Sequence, residues 1–406
     1  MKDRMKYGMP LLVLMLIASH QFFAQSTVEQ LEVNSKYLQE TRKVHVVLPE
    51  KYGQSTKEYP LIFVLDHELL FNTTAAISAQ LSATSRMPES IVVSLVAGSQ
   101  HRNYFAPNLY NNHRDRAYNY GGHQDNFLGF IENELLPLLE KKYRLAKFRM
   151  VVGFSPSSVI ALHTLLNKPV LFQAYICLAA GNIIGDGYAK DTRLIETLEE
   201  LYNNPGIPEH YLYVVSGGKD AESQPYIISN VEDFNTKLTK ADLSKGHAKA
   251  EILYGEGHTD VVLPGLISAF NFIFPRDKWV VDYLDLIEQE GSAKENILHF
   301  YDQLSKTYNF QIYPNVDRLY SMSCLKNIGR RLLGTNKEAE AIELYEYWTA
   351  LYPQSHSAHY YLGMAYKAAD RLKMAKESFS RSYTIAMLQN SEDAALYKRA
   401  LEELNN

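Results

Sequence analysis

Cysteine is nearly missing from this chain: Cys177 and Cys324 are the two among 406 residues, so no disulfide framework can hold it together. Tryptophan is equally scarce, with two residues beside 29 tyrosines. Positive charge has no surplus either. The 41 Lys and Arg against 46 Asp and Glu leave a net charge of −5, and the basic residues form no cluster. That excludes nucleic acid as a natural partner, because phosphate binding needs such a surplus. No later apolar run approaches the roughly 18 residues that a membrane-spanning helix requires. Metal-ligand spacings, a phosphate-cradling glycine loop and a dinucleotide fingerprint are also lacking, so no metal and no cofactor is expected.

Apolar residues make up 46% of the chain and charged residues 21%, a globular balance that supports a sizeable core. At about 150 residues per domain the length points to two or three folded units. The N-terminus has Lys2, Arg4 and Lys6, then an apolar run over residues 10–18, then the small residues Ala24 and Ser26. This order predicts a signal peptide over residues 1–25 and an exported, periplasmic or secreted protein without a transmembrane anchor. In such a compartment even a lone pair of cysteines can oxidise.

Between residues 40 and 275, short runs rich in β-branched and aromatic residues alternate with helix-length amphipathic stretches. The runs cover residues 43–48, 60–65, 91–96, 150–152, 174–179, 211–216 and 250–254. Near-continuous apolar strands separated by helices predict a mostly parallel sheet covered on both faces, an α/β domain. The helical pattern through Phe127, Phe130, Ile131, Leu135, Leu138 and Leu139 carries Pro137 as a kink. Residues 277–406 read as helices alone. There Gly329 and Gly363 lie 34 residues apart, as do Ile328 and Leu362, Leu332 and Tyr366, Ala341 and Ala375, and Tyr345 and Phe379. That period predicts two tetratricopeptide repeats over about residues 325–387, stacked on the helices of 277–320 and able to recruit a protein partner.

The chemistry concentrates at the strand ends. Residues 150–152 run into Gly153-Phe154-Ser155-Pro156-Ser157 and then an apolar helix, the layout of a nucleophile elbow. Ser-Pro also spells an ordinary helix start, serine as N-cap and proline in the first helical position. Further on, the strand at 211–216 exits into Gly217-Gly218-Lys219-Asp220, and the last strand into Gly255-Glu256-Gly257-His258. Serine, acid, histidine in that chain order is the α/β-hydrolase order. Ser155 would attack an ester carbonyl, His258 would carry its proton, and Asp220 would orient the imidazole; Glu222 and Glu256 are alternatives for the acid.

Residues 42–274 resemble the esterase family that includes esterase D and the periplasmic ferric-enterobactin esterases. The resemblance rests on Tyr59-Pro60-Leu61-Ile62-Phe63-Val64-Leu65-Asp66, on Arg102-Asn103-Tyr104-Phe105-Ala106-Pro107, on Gly121-Gly122 leading to Phe127 through Pro137, and on the elbow, Gly257-His258 and Phe272-Ile273-Phe274. It implies an α/β-hydrolase fold and an acyl-ester hydrolase, with siderophore lactones or acylated sugars among its small-molecule substrates.

Two positions depart from the family pattern. Pro156 follows the nucleophile and has no N–H, although that residue normally donates to the oxyanion; the Ser157 hydroxyl is a possible substitute. Losing one such donor typically costs on the order of 10²–10³ in rate. Proline also biases the residue before it toward extended backbone, a potential conflict with a strained elbow. Where the family has Asp-Gly, this chain has Asp66-His67-Glu68, so the second donor is the N–H of His67 or Glu68, and the His67 ring either narrows the pocket or meets a ligand. These departures keep a second reading open: a weak or inactive hydrolase fold serving as a binding or scaffold protein. Arg102 and Tyr104 belong to a Tyr- and Arg-rich stretch that either caps the pocket and binds substrate or is a solvated loop.

Overall fold

The computed structural model describes residues 28–96, 105–204, 206–240 and 246–404. The predicted signal peptide, Arg102 and Tyr104 lie outside them. Eight strands form one sheet. They are β1 (Val28–Ser35), β2 (Glu40–Val47), β3 (Tyr59–Val64), β4 (Ile91–Leu95), β7 (Leu145–Phe154), β8 (Ala174–Leu178), β9 (His210–Gly217) and β10 (Gly246–Leu253), while β5 (Leu109–Asn111) and β6 (Arg116–Tyr118) make a separate hairpin. The sheet order is β1-β2-β4-β3-β7-β8-β9-β10. Pairing is antiparallel from β1 to β2 and from β2 to β4, and parallel from β4 through β10.

The parallel strands are continuous apolar runs because helices cover both faces. Every residue of β3, β4, β8 and β9 is buried. On one face pack the helices His67–Ala83 and Val262–Ile273, whose Leu70, Phe71, Leu266 and Phe270 meet Ile62, Met150 and Ile176. On the other face Phe127, Phe130, Leu162, Leu198 and Phe234 meet Leu61, Val151 and Val214. Pro137 causes no break: it stands in the first turn of helix Leu136–Lys142, directly after a π-helical turn over Ile131–Leu135. One boundary differs from expectation. The sheet begins at Val28, ahead of residue 40, because β1 is an antiparallel edge strand with only Val33 and Ser35 fully buried.

After Pro275 the described residues hold helices and no strand, with a non-helical stretch over residues 309–324, and end with the helices Leu325–Gly334, Glu338–Leu351, His356–Ala368, Leu372–Leu388 and Ala394–Glu403. A Cβ at Gly329 would lie 2.2 Å from the Tyr345 ring, and one at Gly363 would lie 2.6 Å from the Phe379 ring, so glycine is what lets each helix pair close. The tail shares the core of the first sheet face, a continuous cluster from Ile62 and Phe148 through Trp279 and Tyr301 to Phe379. At the seam the Tyr308 hydroxyl donates to the Ile273 carbonyl at 2.8 Å, and the Thr56 N–H donates to the Leu351 carbonyl at 3.0 Å. Lys57, 7% exposed, reaches the Tyr352 hydroxyl at 2.8 Å and pairs with Glu89. Cys177 and Cys324 are both buried and free. No helix among the described residues is long and apolar enough to cross a membrane.

Candidate active site

The sheet order reverses between β3 and β7: the chain moves outward to β4 on one side of β3 and to β8 on the other. At such a switch point the loops leaving the carboxyl ends of adjacent strands diverge to opposite faces and leave a crevice. Ser155 stands at this point, directly after β7. Its backbone is at φ 52°, ψ −120°, a region non-glycine residues rarely occupy. It is also not the extended backbone that proline favours in its predecessor, so the conflict expected of Ser-Pro at this turn is present and the surrounding structure holds it. The turn is tight enough that a Cβ at Gly153 would sit 2.7 Å from the Ser157 carbonyl oxygen.

The loops after β9 and β10 bring the other two residues to Ser155. Gly217 allows their contact, since a Cβ there would lie 2.7 Å from the carbonyl oxygens of both Glu256 and Gly257. His258 places Nδ1 2.6 Å from Asp220 Oδ2 and Nε2 3.1 Å from Ser155 Oγ. Phe154 meets the His258 ring edge-on, with centroids 5.1 Å apart. The carboxylate calls for the proton on Nδ1, which leaves the Nε2 lone pair facing the serine hydroxyl. His258 is 47% exposed and Asp220 18%, so the histidine is open to a substrate while the acid is sheltered. Glu222 is exposed, and Glu256 contributes its carbonyl to the Lys219 N–H at 3.0 Å; neither is bonded to His258.

Two helices start beside the serine, His67–Ala83 after β3 and Pro156–Asn167 after β7. Their N-cap residues, Asp66 and Ser155, make no side-chain cap to their own helices. First-turn N–H groups that are not capped are available to an incoming oxygen, and the helix dipole favours negative charge there. Ser157 plays a different part from the one expected. It is 1% exposed, and its hydroxyl accepts from the Phe154 N–H at 2.7 Å and bonds the Asp66 carboxylate, so it is engaged inside the elbow rather than turned to a ligand. His67 packs its ring against His45 (4.7 Å between centroids) and Phe71 (4.9 Å). Burial, and then His45, holds its pKa below the ordinary histidine value. Glu68 is exposed in the first helical turn.

The tyrosine-rich stretch beyond Tyr104 is a docked structure. Its hairpin β5–β6 pairs Tyr110 with Gly187, stacks His113 on Tyr226 (4.1 Å), and joins Arg114 to Gln224 at 2.8 Å, four residues from Asp220. Beneath it Asn111 donates to the Asp186 carboxylate at 2.8 Å, and Asp186 is 1% exposed. Burial pushes the Asp186 pKa up to about 7, with Arg114 and Asn111 opposing. Burial, and then Asp186, pushes Tyr120 to about 12. The folded pKa of Asp186 exceeds the unfolded one, so folding costs nothing through this group below about pH 4. The cost grows as pH rises and levels off above about 7, at roughly 4 kcal/mol. Asp186→Asn is therefore expected to raise the thermal midpoint at pH 8 by several degrees and to flatten its fall between pH 4 and 7, read from melts across that range. Sequence alone did not single out Asp186 or Asn111; an acid soon after the end of β8 was the available signal.

The described residues hold no group of three His, Cys, Asp or Glu side chains arranged for a metal. A mostly parallel sheet flanked by helices, with serine, acid and histidine on the carboxyl-end loops after β7, β9 and β10, defines an α/β-hydrolase fold. Residues 35–223 match the family model described as "Putative esterase". Over that segment the chain is similar to the esterase family, and it is by class a carboxylic ester hydrolase. It is 27% identical over 232 residues to the ferri-bacillibactin esterase BesA of Bacillus subtilis (strain 168), covering 52% of this chain and 76% of that protein. An IroE-like serine hydrolase from Shewanella oneidensis shares the fold with a TM-score of 0.62 at 23% identity, over 78% of this chain and 98% of that one. An uncharacterised protein from Capnocytophaga ochracea DSM 7271 has a TM-score of 0.55 at 18% identity, over 93% of this chain and 99% of that one, so its likeness extends into the helical tail.

Proposed function

We propose that the chain is an exported serine hydrolase that cleaves carboxylic esters through an acyl-enzyme, with Ser155 as nucleophile, His258 as general base and then acid, and Asp220 as the orienting carboxylate. One observation carries this reading: Ser155 Oγ, His258 Nε2, His258 Nδ1 and Asp220 Oδ2 form one chain of contacts of 3.1 and 2.6 Å, anchored on a serine with positive φ. In the first half-reaction the Ser155 oxygen bonds the ester carbonyl carbon, its proton passes to His258, and the carbonyl oxygen takes negative charge beside the two helix N-termini. Collapse expels the alcohol, protonated by His258. Water then repeats the sequence on the acyl-serine and releases the acid.

The similarity to a ferri-bacillibactin esterase makes siderophore esters the first substrates to test, with acylated sugars second. Export rests on the basic, apolar and small segments of residues 1–26. The tail is read as two tetratricopeptide repeats from the 34-residue spacing of Gly329 and Gly363, each set against an aromatic ring, and it offers a surface for a protein partner. Pro156 favours a second reading, a hydrolase fold that binds rather than turns over.

A fluorophosphonate probe separates the two. Labelling is expected on the native chain and not on Ser155→Ala, with hydrolysis of a short aryl ester falling to background in the same variant. A native chain that stays unlabelled and hydrolyses no more ester than Ser155→Ala decides for the binding reading.

A further inference from the structure

Asp66 occupies the N-cap of helix His67–Ala83, where aspartate ordinarily accepts from its own first turn, yet it makes no such cap. Its carboxylate, 3% exposed, instead crosses from the end of β3 to the neighbouring strand. There Oδ2 lies 3.1 Å from the Phe154 N–H and bonds the Ser157 hydroxyl, which itself accepts from the Phe154 N–H at 2.7 Å. The connection spans 91 positions of sequence and joins the two loops that bracket Ser155. A hydrogen bond in a buried site is stronger than the same bond in water, and it is short-ranged and directional.

Pro156 gives this tie its importance. With no N–H at that residue, any donor from the β3 side, the N–H of His67 or Glu68, carries more of the charge that forms on the attacked carbonyl. That donor serves only if the start of helix His67–Ala83 keeps its distance from the elbow. The hydroxyl that fastens it belongs to Ser157, which stands where the nucleophile-elbow pattern Gly-x-Ser-x-Gly has its second glycine. Proline and serine at consecutive positions thus act together: one removes a donor, and the other holds the remaining ones in place.

We propose that Asp66 and Ser157 are positioning residues of the acyl-transfer site, clamping the elbow to the start of helix His67–Ala83 so that the oxyanion site works without an N–H at residue 156. This rests on the hydrolase reading given above. The clamp touches no substrate, so its loss lowers kcat and the rate of fluorophosphonate labelling while leaving KM nearly unchanged.

The test is a cycle of four chains: native, Ser157→Ala, Pro156→Ala, and the double variant. Ser157→Ala is expected to lower kcat about 10-fold with Pro156 in place. It is expected to cost less than about threefold where Pro156→Ala has returned the N–H, because the elbow then supplies its own donor. Asp66→Asn should lower kcat as well, and its effect should not add to that of Ser157→Ala. Hydrogen exchange over residues 150–160, expected to be faster in Ser157→Ala, reads the clamp independently of turnover. A native chain that is not labelled at Ser155 overturns the hydrolase reading and this proposal with it. A labelled native chain in which Ser157→Ala loses nothing, or loses equally in both backgrounds, overturns the proposal alone.

Discussion

Asp220→Asn is expected to lower kcat by about 10⁴ with KM within a few-fold, whereas Glu222→Gln and Glu256→Gln stay within about twofold of the native chain. The reason is tautomeric. Asp220 Oδ2 lies 2.6 Å from His258 Nδ1 and only accepts, so it fixes the ring proton on that nitrogen and leaves Nε2, 3.1 Å from Ser155 Oγ, free to take the serine proton. An asparagine can present its NH₂ to Nδ1 instead, which moves the ring proton to Nε2 and removes the base. In the proposed mechanism the carboxylate would also stabilise the imidazolium formed in each half-reaction, and an amide would not. Substrate binding involves neither effect, so the loss should appear in single-turnover acylation of an aryl ester and in the rate of fluorophosphonate labelling, with the fold unchanged by circular dichroism. The two glutamates lack the geometry: Glu222 is exposed, and Glu256 takes part through its backbone. If Glu256→Gln gave the large loss and Asp220→Asn a small one, the acid would be misassigned.

How legible this is in the sequence depends on the range of the forces involved. β3, β4, β8 and β9 are buried on both faces, and their apolar runs can be read directly. β1 cannot, because an edge strand with alternating exposed residues leaves almost no hydrophobic signal. The chain order of Ser155, Asp220 and His258 is visible, since each follows a strand. The choice of Asp220 over its neighbours is not, because it is made where the loops after β9 and β10 touch at Gly217. Pro156 is legible as a lost donor, but the backbone of Ser155 before it, at φ 52° and ψ −120°, is set by the turn from β7 into the helix against proline's local preference. Ser157 and Asp66 lie 91 residues apart, and no local pattern announces a hydrogen bond between them. Two nearly adjacent serines in one pentapeptide, one facing His258 and one tied to Asp66, differ only in where the fold points their hydroxyls.

Ending the chain at Tyr320 is expected to abolish soluble, folded protein, because the helical tail completes the core of the α/β domain. The cluster on the first sheet face is unbroken from Ile62 and Met150 to Ile328, Tyr345 and Trp348, so truncation uncovers large side chains that no other element can cover. Ile297, Tyr301 and Leu304 would lose the helices packed over them, and Lys57 would lose the Tyr352 hydroxyl and the Tyr352 ring 5.2 Å from its ammonium while remaining beside Glu89. The Thr56 and Gln354 N–H bonds across the seam, to Leu351 and Gln54, would go as well. Exposing each large apolar side chain costs about 1.5–3 kcal/mol, so five or six of them match the roughly 5–15 kcal/mol that separates a folded domain from its unfolded chain. The measurement is soluble yield and size-exclusion profile at matched expression, followed by a melt of whatever stays soluble. A chain ending at Tyr320 that is monomeric, melts near the native temperature and labels normally would show that the shared core is dispensable, and the tail would then serve partner docking alone. The expected result, aggregation with loss of labelling, makes the tail part of the enzyme's own folding unit, and it means that a partner bound there acts on a surface continuous with the layer that supports His67–Ala83 and the oxyanion side of the site.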